Sequence, residues 1–196
     1  MSDTSPTQPT STPSAATAAP SPAETVTLGG GCFWCVEAVF EQVAGVLSCE
    51  SGYANGHVRA PSYEQVCGGD TGHAEVVRVR FDPRTIPLGD VLRIFFATHD
   101  PTQLNRQGND VGTQYRSGVY WEDEAQLPVI REVLAEARQA LGDGVVTEVA
   151  ALANYWRAED YHQHYFAQHP FQGYCAAIIA PKVDKFRKVF QARLKT

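Results

Sequence analysis

Two cysteines three residues apart, Cys32 and Cys35, follow directly on three glycines in Gly29-Gly30-Gly31-Cys32-Phe33-Trp34-Cys35. A short apolar run, Val26 to Leu28, precedes the glycines, and helix-periodic residues follow them. The order reads strand, tight turn, thiol, helix. Glycine suits the sharp turn. The turn places Cys32 at or near a helix N-terminus, where free N–H groups and the helix dipole favour negative charge. A thiolate there is expected to have a lowered pKa. A Cys-x-x-Cys pair at a helix start suits thiol–disulfide chemistry, because one sulfur attacks and its neighbour resolves. The alternatives are zinc and a pair of inert core thiols. Structural zinc wants a second cysteine pair or two histidines at matching spacing, and Cys49 and Cys67 do not supply a second pair.

Glu75 is the second candidate. In Glu75-Val76-Val77-Arg78-Val79-Arg80-Phe81 the apolar residues Val77, Val79 and Phe81 share one strand face, and Arg78 and Arg80 the other. Glu75 has the parity of the apolar face. A carboxyl held inside is pushed up in pKa by desolvation and can serve as an acid near neutral pH. Alternatively it pairs with an arginine such as Arg116, or the strand end faces water. Tyr63, Tyr115 and Asp110 lie in polar, glycine-rich stretches, where tyrosine hydroxyls can donate hydrogen bonds to an oxygen that gains charge; ordinary turn and packing duty is the plainer reading. His73, His162 and His164 lack metal-ligand spacing and read as structural or surface groups. Gly29 and Gly31 begin a G-x-G, but Trp34 stands where a dinucleotide fingerprint needs its third glycine.

The elements that position these groups can be placed in order. A first strand covers 26–28 and a first helix about 33–43, ended by Gly45. A second strand runs 46–53 and a third 75–81. A second helix over about 88–97 carries the stripe Leu88, Val91, Leu92, Phe95 and Phe96. A long polar stretch, 98–116, has the length of a functional loop. A fourth strand at 117–121 precedes a third helix through Ile130, Val133, Leu134, Ala137 and Leu141. Pro128 makes its first turn irregular. A fifth strand is expected at 145–149, a helix at about 158–168, and a basic C-terminal helix. The order β-α-β-β-α-β is that of the split βαβ, so the expected class is α+β: a ferredoxin-like sandwich with an additional strand, helices and a C-terminal tail.

Composition sets bounds. The chain has 196 residues, 43% hydrophobic and 19% charged, which is a globular profile with one folded domain. Residues 1–23 are rich in Ser, Thr, Pro and Ala. They read as a disordered tail and carry no secretory-signal pattern. A net charge of -6 without a basic block argues against nucleic acid, and no apolar run has membrane-spanning length. Five cysteines, an odd number, fit a reducing cytoplasmic setting better than a disulfide framework.

The blocks Gly30-Gly31-Cys32-Phe33-Trp34, Thr71-Gly72-His73-Ala74-Glu75, His99-Asp100-Pro101-Thr102, Gly108-Asn109-Asp110, Gly112-Thr113-Gln114-Tyr115-Arg116-Ser117 and Ala158-Glu159-Asp160-Tyr161-His162-Gln163 together resemble the A-type peptide methionine sulfoxide reductases. The resemblance runs through nearly all of the chain after the tail and implies a catalytic domain over 24–196. It implies Cys32 as nucleophile on the sulfoxide sulfur and Glu75 as the acid at the oxygen. Tyr63 and Tyr115 would hold that oxygen, Asp110 would orient the polar side, and Phe33 and Trp34 would cage the substrate methyl group. It further implies a Cys32 sulfenic acid, a disulfide, and recycling by thioredoxin or a similar dithiol protein, with no metal or organic cofactor. The expected substrate is methionine-S-sulfoxide, free or in proteins, and the expected form a monomer. The chain departs from the commoner pattern at Cys35, where many members have Gly, and it also carries Gly173-Tyr174-Cys175. Two thiols, Cys35 and Cys175, therefore compete as resolving partner. Cys35 needs almost no loop closure and is favoured as the first, with Cys175 as a relay.

Overall fold

The computed structural model describes residues 22–195; residues 1–21 of the expected tail lie outside the described residues. Strand β1 (Glu24–Gly30) is central. Its Val26, Thr27 and Leu28 are all fully buried, because both faces of the strand are covered. Helix α1 (Phe33–Phe40) follows after two residues. Next come β2 (Val46–Ala54), the short helix α2 (Tyr63–Cys67), β3 (Ala74–Phe81) and helix α3 (Leu88–Thr98). Ser62 and Gln65 close a capping box on α2. The polar stretch after α3 folds into a small hairpin, β4 (Arg106–Gln107) and β5 (Asp110–Val111), and a 3-10 turn at Thr113–Tyr115. Strand β6 (Ser117–Trp121), helix α4 (Leu127–Leu141), β7 (Glu148–Ala151) and β8 (Tyr155–Arg157) complete the middle of the chain. Helix α5 (Tyr165–Gln168), a π-helical turn at Cys175–Ile179 and helix α6 (Ala180–Val189) end it.

The main sheet has the order β7-β6-β1-β3-β2-β8. Every pairing is antiparallel except β6 with β7, so the sheet is mixed. The class is α+β, as the sequence predicts. Val36, Val39 and Phe40 of α1, Val91, Leu92 and Phe95 of α3, and Val183 and Phe186 of α6 share one core with Leu28, Val77, Val79 and Phe81 of the sheet. That burial follows the helical and alternating patterns in the sequence. Arg78, on the opposite face of β3, pairs with Glu122.

Some expectations shift. A 3-10 turn at Glu124–Gln126, capped by Asp123, precedes α4. Pro128 therefore falls in the first turn of the helix proper, where its missing N–H costs little. The fifth strand lies at Glu148–Ala151, later than expected, where it pairs parallel to β6. No continuous helix spans 158–168. Tyr155–Arg157 instead extends the sheet beside β2, a 3-10 turn covers Asp160–His162, and His164 has a left-handed backbone (φ 54°) that a helix cannot contain.

Candidate active site

Gly31 makes the turn between β1 and α1. Its φ is +87°, and a Cβ there would lie 2.5 Å from Cβ of Gln107, so both the backbone angle and the space require glycine. Cys32 then occupies the N-cap position of α1. Glu75 is the second residue of β3, opposite Tyr53 of β2. It is 1% exposed. The N–H of Phe33, one of the helix's free N-terminal donors, donates to Glu75 Oε2 at 3.1 Å. That bond joins the thiol-bearing turn to the acid, although the two lie 42 positions apart in sequence.

Burial pushes the Glu75 carboxyl up to about 8, against the pull of the Phe33 N–H. At neutral pH it is mainly protonated, the form that can give up a proton. Arg116 does not pair with it; its partner is Glu148 at 2.8 Å. The lowered pKa expected for Cys32 is not found. Burial pushes the Cys32 thiol well up, and its contact with Cys35 adds to this. The reason is geometric: the sulfur is desolvated, and the Phe33 N–H that would have favoured its thiolate serves Glu75. The hydrogen bond from Cys32 draws Cys35 down to about 7, helped by the charge of Lys182 and by Tyr174. Cys35 is thus the more acidic thiol of the pair.

Phe33 is buried beneath an aromatic wall, with ring centroids 5.9 Å from Tyr53, 6.4 Å from Tyr63 and 5.1 Å from His162. Trp34 stacks on Tyr165 at 3.8 Å, and its Nε1–H donates to His162 Nδ1 at 3.2 Å. Glu159 fixes the wall: the Tyr63 N–H donates to its Oε1 at 2.9 Å, and the Tyr53 hydroxyl donates to its Oε2 at 2.7 Å. The hydroxyls of Tyr63 and Tyr115 are pushed up by burial, and the Glu75 charge reaches both. Asp110 accepts from the Tyr174 hydroxyl at 2.7 Å, and Tyr174 also bonds to Cys32. A cavity of about 530 Å³ opens beside Asp110, Tyr174 and Lys182. The charge of Cys35 reaches Cys175, which is buried in the π-helical turn packed against α1.

The structure therefore brings together Cys32, Cys35, Glu75, Tyr63, Tyr115, Asp110, Phe33 and Trp34. The peptide methionine sulfoxide reductase family model matches residues 24–194. The chain belongs to this family. The reductase is 56% identical over 178 residues to the peptide methionine sulfoxide reductase MsrA of Ralstonia nicotianae, covering 88% of this chain and 93% of that one. Among solved structures it is similar to methionine sulfoxide reductase A of Corynebacterium diphtheriae (TM-score 0.74, 36% identity, 79% of this chain and 78% of that one). It is also similar to reduced Mxr1 of Saccharomyces cerevisiae (TM-score 0.72, 37% identity, 78% and 88%). Mxr1 has also been solved in complex with Trx2. This chain is an A-type reductase, an oxidoreductase acting on methionine sulfoxide.

Sequence reasoning about single residues missed four parts of the reductase site. His162, read as structural or surface, is 1% exposed and stands between Phe33, Trp34 and Tyr63. Glu159, Tyr53 and Tyr174 were not singled out as site residues. The sequence signal for Glu159 is its place inside a family-like block, and for Tyr174 its place beside Cys175; Tyr53 carries none beyond its position at the end of the second strand.

Proposed function

We propose that the chain reduces methionine-S-sulfoxide, free and in proteins, to methionine, and so repairs oxidised proteins. The hydrogen bond from the Phe33 N–H to Glu75 carries this reading, because it sets a buried, protonated acid against the turn that presents Cys32. A sulfoxide oxygen leaves sulfur only when protonated. Glu75 supplies that proton, and the Tyr63 and Tyr115 hydroxyls hold the oxygen as it gains charge. Asp110, held by Tyr174, orients the polar side. Phe33 and Trp34 form the apolar wall for the methyl group.

Cys32 attacks the sulfoxide sulfur. The S=O bond is reduced, methionine leaves, and Cys32 carries the oxygen as a sulfenic acid. The thiol proton of Cys32 and the oxygen account for that S–OH, and Glu75 is reprotonated in the exchange. Cys35, whose thiol is drawn down to about 7, then attacks the Cys32 sulfur. A disulfide forms and water leaves. Thiol–disulfide exchange with Cys175 carries the disulfide outward, and thioredoxin or a similar dithiol reduces it. The Mxr1–Trx2 complex supports the last step. The strand order β6-β1-β3-β2 supports reading the centre of the fold as a ferredoxin-like split βαβ with additions. We assign catalysis to 24–196, acting as a monomer in a reducing, cytoplasmic setting.

The test is turnover of resolved methionine sulfoxide epimers with dithiothreitol. The S epimer is consumed and the R epimer is not; no turnover of either overturns the reading. The choice of thiol is tested in the same assay with thioredoxin as reductant. Cys35→Ser loses about 10-fold or more of the thioredoxin-driven rate, while dithiothreitol-driven turnover survives. Full thioredoxin-driven turnover by Cys35→Ser, with none by Cys175→Ser, makes Cys175 the resolving thiol.

A further inference from the structure

On the far side of α1 from the thiols, Glu37 is 1% exposed, and its Oε1 has no hydrogen-bond partner. A buried carboxylate oxygen without a partner is costly and calls for an explanation. Glu41 lies one helical turn further on, and His164 arrives from the connection between β8 and α5. One donor atom from each of Glu37, Glu41 and His164 lies within 4.8 Å of the others. His164 Nδ1 already bonds to Glu41 Oε1. The left-handed backbone of His164 turns the chain at this point. Among the described residues this is the one group of three such donors, and the catalytic cysteines are not in it.

We propose that Glu37, Glu41 and His164 bind a divalent first-row transition-metal ion. Two carboxylates and one imidazole suit Mn²⁺, Zn²⁺ or a neighbouring metal, and water completes the shell. Bonds of about 2.0–2.2 Å to one ion draw the three donors together and give the orphaned Glu37 oxygen a partner. The ion replaces whatever proton His164 and Glu41 share. Burial holds Glu37 up at about 7, so near neutral pH it can lose its proton to a metal at little cost. The Glu41 charge and the His164 ring are the other ionisable groups that face it. The bound ion ties α1, which carries Cys32 and Cys35, to the segment that sets His162 against Trp34 and Tyr63. It clamps two walls of the reductase site from outside, without contact to the reacting sulfur.

The probe is Mn²⁺, which prefers oxygen and imidazole over thiolate, titrated into the full chain and followed by electron paramagnetic resonance. One ion binds per chain, and saturating Mn²⁺ raises the melting temperature. His164→Ala and Glu37→Gln each weaken binding at least about 10-fold, a coupling of about 1.4 kcal/mol. Cys32→Ser with Cys35→Ser leaves binding unchanged. His164 is exposed, with 59% of its side chain accessible, so His164→Ala folds even if Glu37→Gln does not. Absence of saturable binding up to about 1 mM Mn²⁺, or full binding by His164→Ala, overturns the proposal.

Discussion

Cys32→Ser abolishes reduction of methionine-S-sulfoxide, with a loss of about 10⁴-fold or more in kcat/KM. A hydroxyl cannot replace sulfur in the proposed mechanism, where the attacking atom accepts the oxygen as a sulfenic acid and then joins a disulfide. The loss is the same with dithiothreitol and with thioredoxin, which separates Cys32 from a resolving thiol. The fold is unaffected. Cys32 is a small residue at a helix N-cap, with no side-chain capping bond to lose. Serine is also among the residues preferred at that position. Steady-state kinetics with both reductants, together with a thermal melt, checks this expectation. Wild-type kcat/KM in Cys32→Ser contradicts it.

Glu75→Gln is the second large effect, expected at about 10²–10³-fold in kcat/KM, the range for loss of a general acid. The amide oxygen still accepts the Phe33 N–H, so the turn and the strand stay joined. What disappears is the transferable proton. The sign of the pH dependence follows from the raised pKa: Glu75 is protonated and active below about 8 and ionised above it. Wild-type kcat/KM therefore falls as pH rises through about 8, and this descending limb is missing in Glu75→Gln. A pH–rate profile of both proteins is the check. An unchanged profile in Glu75→Gln assigns the proton to another group.

The proposed nucleophile, Cys32, and the proposed acid, Glu75, are legible because each is announced locally. Three glycines before Cys32 call for a turn, and helix-periodic residues follow. Alternation in β3 gives Glu75 the inward parity, and its 1% exposure agrees. What the turn argument could not tell was where the free helix N–H groups go. Phe33's donates to Glu75, which leaves Cys32 a high-pKa thiol and Cys35 the more acidic one. The roles of His162 and Tyr174 come from contacts across 128 and 64 residues, respectively, and no periodicity reports a contact of that range. The helix expected over 158–168 failed for a related reason. Gln163 bonds to the Ser51 backbone across 112 residues, and His164 turns into a left-handed conformation, so tertiary contacts override the local helical preference.

The central claim is that the oxygen passes from methionine sulfoxide to Cys32 and that Cys35 then closes on it. A single turnover without reductant, followed by alkylation and peptide mapping, tests it most directly. In Cys175→Ser, which blocks the relay, methionine forms together with a Cys32–Cys35 disulfide. In Cys35→Ser with Cys175→Ser, methionine forms and Cys32 is trapped by dimedone as the sulfenic acid. Methionine formed while Cys32 stays a free thiol, or no methionine at all, contradicts the account.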